Sequence, residues 1–120
     1  MTPLRIVVVE DDEIIASLFE ELLAIMGHKV CANVASEGEA VDAARTWSPD
    51  LMIVDERLGL GSGVAAMCKI LKSGFVPHVY VTTHEIRVRD MEPDAVIVSK
   101  PFREIDLLNG MRLALAAAVA

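Results

Sequence analysis

The segment Leu4-Arg5-Ile6-Val7-Val8-Val9-Glu10-Asp11-Asp12 decides how the chain is read. A β-branched run of this kind suits a strand buried on both faces, as in a parallel sheet, because a half-exposed strand would alternate apolar and polar residues. It stops abruptly on three carboxylates. Leu51-Met52-Ile53-Val54-Asp55 repeats the pattern, apolar and then acidic. Between the two, Ile14, Ile15, Leu18, Leu22 and Ile25 recur at helical spacing until Gly27, which supplies the left-handed residue that ends a helix. A short second strand is expected over 30–34. Ser36, followed three residues later by Glu39, marks the capped start of a second helix that runs through Trp47 and is closed by Pro49.

Beyond Asp55 the glycines Gly59, Gly61 and Gly63 form a loop, and Val64, Met67, Cys68 and Leu71 place a third helix that ends near Gly74. Strands over 79–82 and 95–98 follow, and Ile105, Leu108, Met111 and Leu115 mark a closing helix. Five strands alternating with helices predict an α/β fold, a doubly wound five-stranded parallel sheet with helices on both faces. Alternation alone does not fix the spatial order of the strands. The stretch between Thr82 and Ala95 is barely long enough for a parallel crossover, so the fourth helix is expected to be shortened to one or two turns, or to be an irregular loop. No repeat or linker interrupts the pattern, and residues 1–120 read as one domain.

Composition excludes several function classes. The 120 residues are 53% hydrophobic and 24% charged, with a net charge of −7, so the chain can bury enough surface to fold. No apolar run approaches the ~20 residues that span a bilayer, and the first ten residues lack the features of a signal peptide, so a cytoplasmic location is expected. An acidic chain without a basic cluster is poorly suited to direct nucleic-acid binding. Cys31 and Cys68 lack the spacing of a redox or zinc site and are expected to be small core residues. His28, His78 and His84 form no zinc-binding pair.

In an open α/β sheet, ligands bind beyond the carboxyl ends of the strands. Four of the five strands deliver polar chemistry there: Glu10, Asp11 and Asp12 after the first, Asp55 after the third, Thr82 and Thr83 at the fourth, and Ser99 and Lys100 at the fifth. If the first and third strands are neighbours, Glu10, Asp11 and Asp55 converge and repel one another unless a cation intervenes. A hard divalent ion is implied, and Mg2+ fits best because it prefers oxygen ligands and takes only one or two carboxylates together with waters and phosphate. Lys100 adds a positive point charge and Thr82 a hydroxyl, which together describe a phosphoryl-binding site with Asp55 as the candidate nucleophile. Each residue alone has an ordinary structural explanation; their conjunction is what points to chemistry.

The segments Val7-Val8-Val9-Glu10-Asp11-Asp12, Ile53-Val54-Asp55, Val81-Thr82-Thr83 and Ser99-Lys100-Pro101-Phe102 resemble those of bacterial response-regulator receiver domains across essentially the whole chain. The resemblance implies a flavodoxin-like sheet with spatial strand order 2-1-3-4-5, with Glu10 and Asp11 as the acidic pair for magnesium and Asp55 as both a metal ligand and the phosphoacceptor. The backbone carbonyl of Arg57 would be the third protein ligand, with Thr82 and Lys100 gripping the phosphoryl oxygens. It also implies a sensor histidine kinase or a histidine phosphotransfer protein as phosphoryl donor, an unidentified downstream protein partner, and a homodimer or output face on the last two helices and the fifth strand. Such a domain promotes its own phosphorylation and dephosphorylation and is not a turnover enzyme on external substrates.

Several positions depart from the family pattern. Leu58-Gly59 stands where a Met-Pro pair is common, and Ile97 occupies the usual aromatic switch position, which leaves Thr82 to carry the switch. Arg57 and His84 stand where the family tunes the lifetime of the phosphoaspartate, and Thr83 could add bulk at the entrance. Three alternatives remain: a pseudo-receiver that only binds partners, an amino-terminal receiver fragment of a larger regulator, and an aspartyl-nucleophile phosphatase. The last would need a second acid where Arg57 stands. A flavin-binding domain of like topology is disfavoured by the three acids after the first strand.

Overall fold

Ile6 to Val9 are buried in the computed structural model, which describes residues 2–118, because their strand lies in the middle of a sheet. In chain order the elements are β1 (Arg5–Val9), α1 (Glu13–Ile25), β2 (Lys29–Val34), α2 (Glu37–Trp47), β3 (Leu51–Val54), β4 (Arg57–Leu58) and β5 (Gly61–Ser62). They are followed by α3 (Gly63–Leu71), β6 (His78–Thr82), α4 (Glu85–Met91), β7 (Ile97–Ser99) and α5 (Glu104–Ala117). The main sheet runs β2-β1-β3-β6-β7 with every pair parallel. This is the expected 2-1-3-4-5 order, with β4 and β5 set aside as a small antiparallel hairpin in the glycine loop.

Alternation along the strands feeds two cores. Ile6, Val8, Leu51, Ile53, Val79 and Val81 pack with Phe19 and Leu23 of α1 and Leu107 and Met111 of α5. Val7, Val9, Met52, Val54 and Tyr80 pack on the other face with Ala40 and Ala43 of α2, Val64, Met67 and Ile70 of α3, and Val88 of α4. Two apolar faces explain why the central strands read as unbroken apolar runs.

Local signals place the helix ends. Asp12 caps α1, its Oδ1 accepting from Ile14 N (2.9 Å) and Ile15 N (3.2 Å). Gly27, at φ +91°, turns the chain out of α1. Ser36 caps α2 by accepting from Glu39 N at 3.2 Å, while Glu39 reaches back to Ser36 Oγ and Ala35 N rather than to the cap's own N–H. α4 has two turns, as the short crossover requires.

Two expectations need correction. Cys68 is exposed, because the core side of α3 is taken by Val64, Met67 and Ile70 and the helical period turns position 68 outward; Cys31 is only half-buried. The fifth strand begins at Ile97 rather than at Ala95, since the Ala95 N–H is used to close the turn after α4 on Glu92 O at 3.0 Å. Among the described residues, no helix is long and apolar enough to cross a membrane.

Candidate functional site

Register decides which side chains meet. Val9 pairs with Val54 and Val54 with Tyr80, so Glu10 and Asp55 emerge side by side just past the strand ends, with Thr82 on the same rim. Asp55 N donates to Val9 O at 2.9 Å, which carries the pairing of β1 with β3 one residue beyond the strands. Ligand oxygens of Glu10, Asp11 and Asp55 all lie within 4.8 Å of one another. Lys100, at the end of β7, bridges two of them: its Nζ donates to Glu10 Oε1 at 2.9 Å and to Asp55 Oδ2 at 3.0 Å. These contacts join positions 90 and 45 residues apart. The Lys100-Pro101 peptide is cis.

The remaining hydrogen bonds organise the rim. Asp12 N donates to the second oxygen of Glu10 at 3.3 Å, Gly59 N donates to Asp11 Oδ2 at 2.8 Å, and Arg57 N donates to Asp55 Oδ1 at 3.4 Å. Thr82 is fully buried; its Oγ1 accepts from His84 N at 3.0 Å, and its carbonyl accepts from Lys100 N at 3.0 Å. Burial raises the Glu10 carboxyl above its ordinary range and the Asp55 charge adds to this, while the Lys100 ammonium pulls the other way. Burial alone would lower Lys100, but its bonds to Glu10 and Asp55 outweigh that and hold the ammonium above its ordinary range.

Three converging carboxylates and one ammonium leave an excess of negative charge in a purely oxygen donor set, which fits a hard divalent cation such as Mg2+. Glu10, Asp11 and Asp55 are the side chains that would hold it. Arg57 opens β4 in the same turn as Asp55, which places its peptide beside this cluster.

The chain matches the family model for the response regulator receiver domain over residues 6–112. It belongs to the response regulator receiver domain family. This receiver domain is 29% identical over 119 residues to the transcriptional regulatory protein PdtaR of Mycobacterium tuberculosis, an alignment covering 95% of this chain and 58% of that protein. It is 33% identical over 103 residues to the phyllosphere-induced regulator PhyR of Methylorubrum extorquens, covering 82% of this chain and 39% of PhyR. The chain thus spans well under two-thirds of the length of either relative. Among solved structures, the receiver domain of Erythrobacter litoralis PhyR superposes with a TM-score of 0.84 at 29% identity, covering 95% of this chain and 91% of that one.

Of the other positions singled out, Arg57 and His84 line one polar cleft beside the β4–β5 hairpin, together with Glu56 and Arg87. Thr83 is exposed and lies outside that cleft, in a shallow depression over α4. Ile97 is half-buried, level with Tyr80, and packs into the core. Sequence reasoning missed Glu56. It is only 2% exposed, yet it carries a carboxylate whose Oε1 accepts from Val64 N at 2.9 Å and whose Oε2 meets Arg87 Nε at 3.0 Å. A lone acid next to Asp55 in a loop gives no local sign of burial, because its partners belong to two other helices, α3 and α4.

Proposed function

We propose that this receiver domain accepts a phosphoryl group on Asp55 from the phosphohistidine of a sensor kinase or a histidine phosphotransfer protein, and that the phosphorylated state changes its binding to a downstream protein. The observation that supports this best is the Asp55 carboxylate, held between Lys100 and the acidic pair Glu10 and Asp11 at the carboxyl rim of the sheet. A carboxylate oxygen of Asp55 attacks phosphorus, the bond from phosphorus to the donor imidazole nitrogen breaks, and the imidazole leaves with its electron pair and takes up a proton. Lys100 stays protonated throughout, orients Asp55, and offsets charge gathering on the phosphoryl oxygens. Thr82 supplies a hydroxyl on the same rim. Mg2+, when bound by Glu10, Asp11, Asp55 and the Arg57 carbonyl, supplies electrostatic neutralisation of the transferring group.

Hydrolysis of the acyl phosphate returns the domain to its starting state, so both half-reactions serve the domain's own switching rather than the conversion of a dedicated external substrate. Arg57 and His84 share a cleft beside the turn that carries Asp55, which supports a role for them in holding or excluding the attacking water, and Thr83 adds bulk at the entrance. An Arg57→Ala/His84→Ala double variant that loses phosphate at the wild-type rate overturns this tuning role. The relatives PdtaR and PhyR are named as regulators, which supports a role in signalling through a partner.

Intact mass after incubation with acetyl phosphate tests the reading. The wild type is expected to gain about 80 Da, one phosphoryl group, only when Mg2+ is present, and Asp55→Asn is expected to gain nothing. No adduct on the wild type at early times would favour a receiver that binds partners without phosphorylation.

A further inference from the structure

We propose that Glu56 is a positioning residue for the phosphoacceptor turn, and that its ion pair with Arg87 transmits the state of that turn to α4. The proposal rests on the assignment of Asp55 as phosphoacceptor. Asp55 and Glu56 are consecutive, and their side chains part: Asp55 joins Lys100 on the rim, while Glu56 enters the interior beneath the loop. A carboxylate so buried stays in place only if it is compensated. Two groups compensate it, and they belong to different helices: the Val64 N–H in the first turn of α3 at 2.9 Å, and the Arg87 guanidinium of α4 at 3.0 Å. The main chain repeats the first tie, since Gly63 N donates to Glu56 O at 2.7 Å. The turn that carries Asp55 and Arg57 is therefore clipped to α3 by two bonds and to α4 by one.

α4 depends on such ties. It has two turns and sends one buried residue, Val88, into the core. Polar contacts fix the rest: at its start His84 N donates to Thr82 Oγ1 and Ser99 Oγ donates to Glu85 Oε1, at its end Glu92 bonds His78 and Tyr80, and in between Arg87 reaches Glu56 and Arg89 donates to Ala95 O. Two of these ties lead back to the phosphoryl site, through Thr82 itself and through the neighbour of Asp55. Ile97 provides no aromatic ring that could move between two positions, so a displacement of the 55–57 turn reaches α4 through Glu56 and Arg87. Arg87 is itself largely exposed, so its loss opens no cavity; it leaves the buried Glu56 carboxylate with the Val64 N–H alone, a cost that Glu56→Gln, which carries no charge, does not incur.

The experiment compares wild type, Arg87→Ala, Glu56→Gln and the double variant, each first shown to be folded by circular dichroism. Intact mass reports phosphorylation by acetyl phosphate with Mg2+, and amide NMR shifts of residues 85–91 report α4. Arg87→Ala is expected to gain the phosphoryl group at Asp55 while losing at least half of the wild-type shift change across α4. Glu56→Gln, which retains the acceptor for Val64 N but not the charge, is expected to slow phosphorylation about tenfold and to lose the α4 response. The double variant should lose no more of that response than Glu56→Gln alone, as expected for one shared route. A full α4 response in Arg87→Ala overturns the proposal. If the wild type takes up no phosphoryl group, Asp55 chemistry fails separately, and the α4 shifts on Mg2+ titration decide instead: a response that Arg87→Ala abolishes supports the link, and an equal response or none in the wild type overturns it.

Discussion

Gly63 shows how one residue holds the phosphoacceptor turn against the sheet. A Cβ at this position would overlap the carbonyl oxygen of Asp55 and lie 2.6 Å from a methyl of Val54, which is fully buried and has no room to move. Gly63→Ala is therefore expected to cost about 1–3 kcal/mol in urea unfolding and to reduce Mg2+-dependent phosphorylation, because relief of the overlap displaces Asp55. Gly38, in the first turn of α2, has no neighbour within 4 Å of such a Cβ, and Gly38→Ala is expected to stabilise by about 0.5–1 kcal/mol in the same assay. The sequence alone presents both as glycines near a helix start. The difference lies in a close approach between backbones that no local pattern encodes.

At the scale of elements, the end of α4 is held by a buried polar cluster. His78 Nε2 lies 2.8 Å from Glu92 Oε2 and its Nδ1 lies 2.7 Å from Val76 O, while Tyr80 OH donates to Glu92 Oε1 at 2.9 Å. Two acceptors on one ring call for protons on both nitrogens. Burial opposes the imidazolium, but the bonds to Glu92 and Val76 prevail and raise His78 above its ordinary 6.5. Burial likewise opposes the Glu92 carboxylate, yet the contacts with His78 and Tyr80 hold it below its ordinary 4.5. Because a raised base stabilises below its unfolded value and a lowered acid above its own, the cluster contributes fully between about pH 4.5 and 6.5. The contribution fades as pH rises through the folded value of His78, or falls through that of Glu92. Thermal unfolding across pH is expected to show Glu92→Gln most destabilised relative to wild type in that window, with a narrowing gap on the alkaline side. The cap of α1 is a simpler case: Asp12→Ala is expected to cost about 1 kcal/mol by losing two N–H partners, read from chemical denaturation.

Across the whole molecule, the dominant feature is negative charge concentrated at one end of the sheet. The net charge is −7, and three carboxylates gather at the rim against a single ammonium. A cation that binds only the folded state stabilises it by mass action, about 2.7 kcal/mol at a hundredfold excess over its dissociation constant. Added MgCl2 is therefore expected to raise the Tm of wild type more than an equal ionic strength of NaCl does. Asp11→Asn is expected to lose that difference while keeping the general salt effect. An equal response to both salts in the wild type would remove the case for a metal site.

Much of this protein is written locally. The unbroken apolar runs ending at Glu10 and Asp55, the helical spacing of Ile15, Leu22 and Leu108, and the short stretch before Ala95 carried the parallel sheet and the shortness of the fourth crossover, because burial on both faces and crossover length are properties of the chain itself. Those same strand ends carried the acidic pair, Asp55, Thr82 and Lys100. Tertiary structure decided what depends on contacts between distant segments. It tied the glycine loop to Asp11 through the Gly59 N–H, set Thr83 over α4 rather than in the cleft where Arg57 meets His84, and buried Glu56 between α3 and α4. A side chain's residue type and spacing set which face of its own element it occupies, whereas the partner that makes burial of a charge tolerable is supplied by another element, and only the packed fold brings the two together.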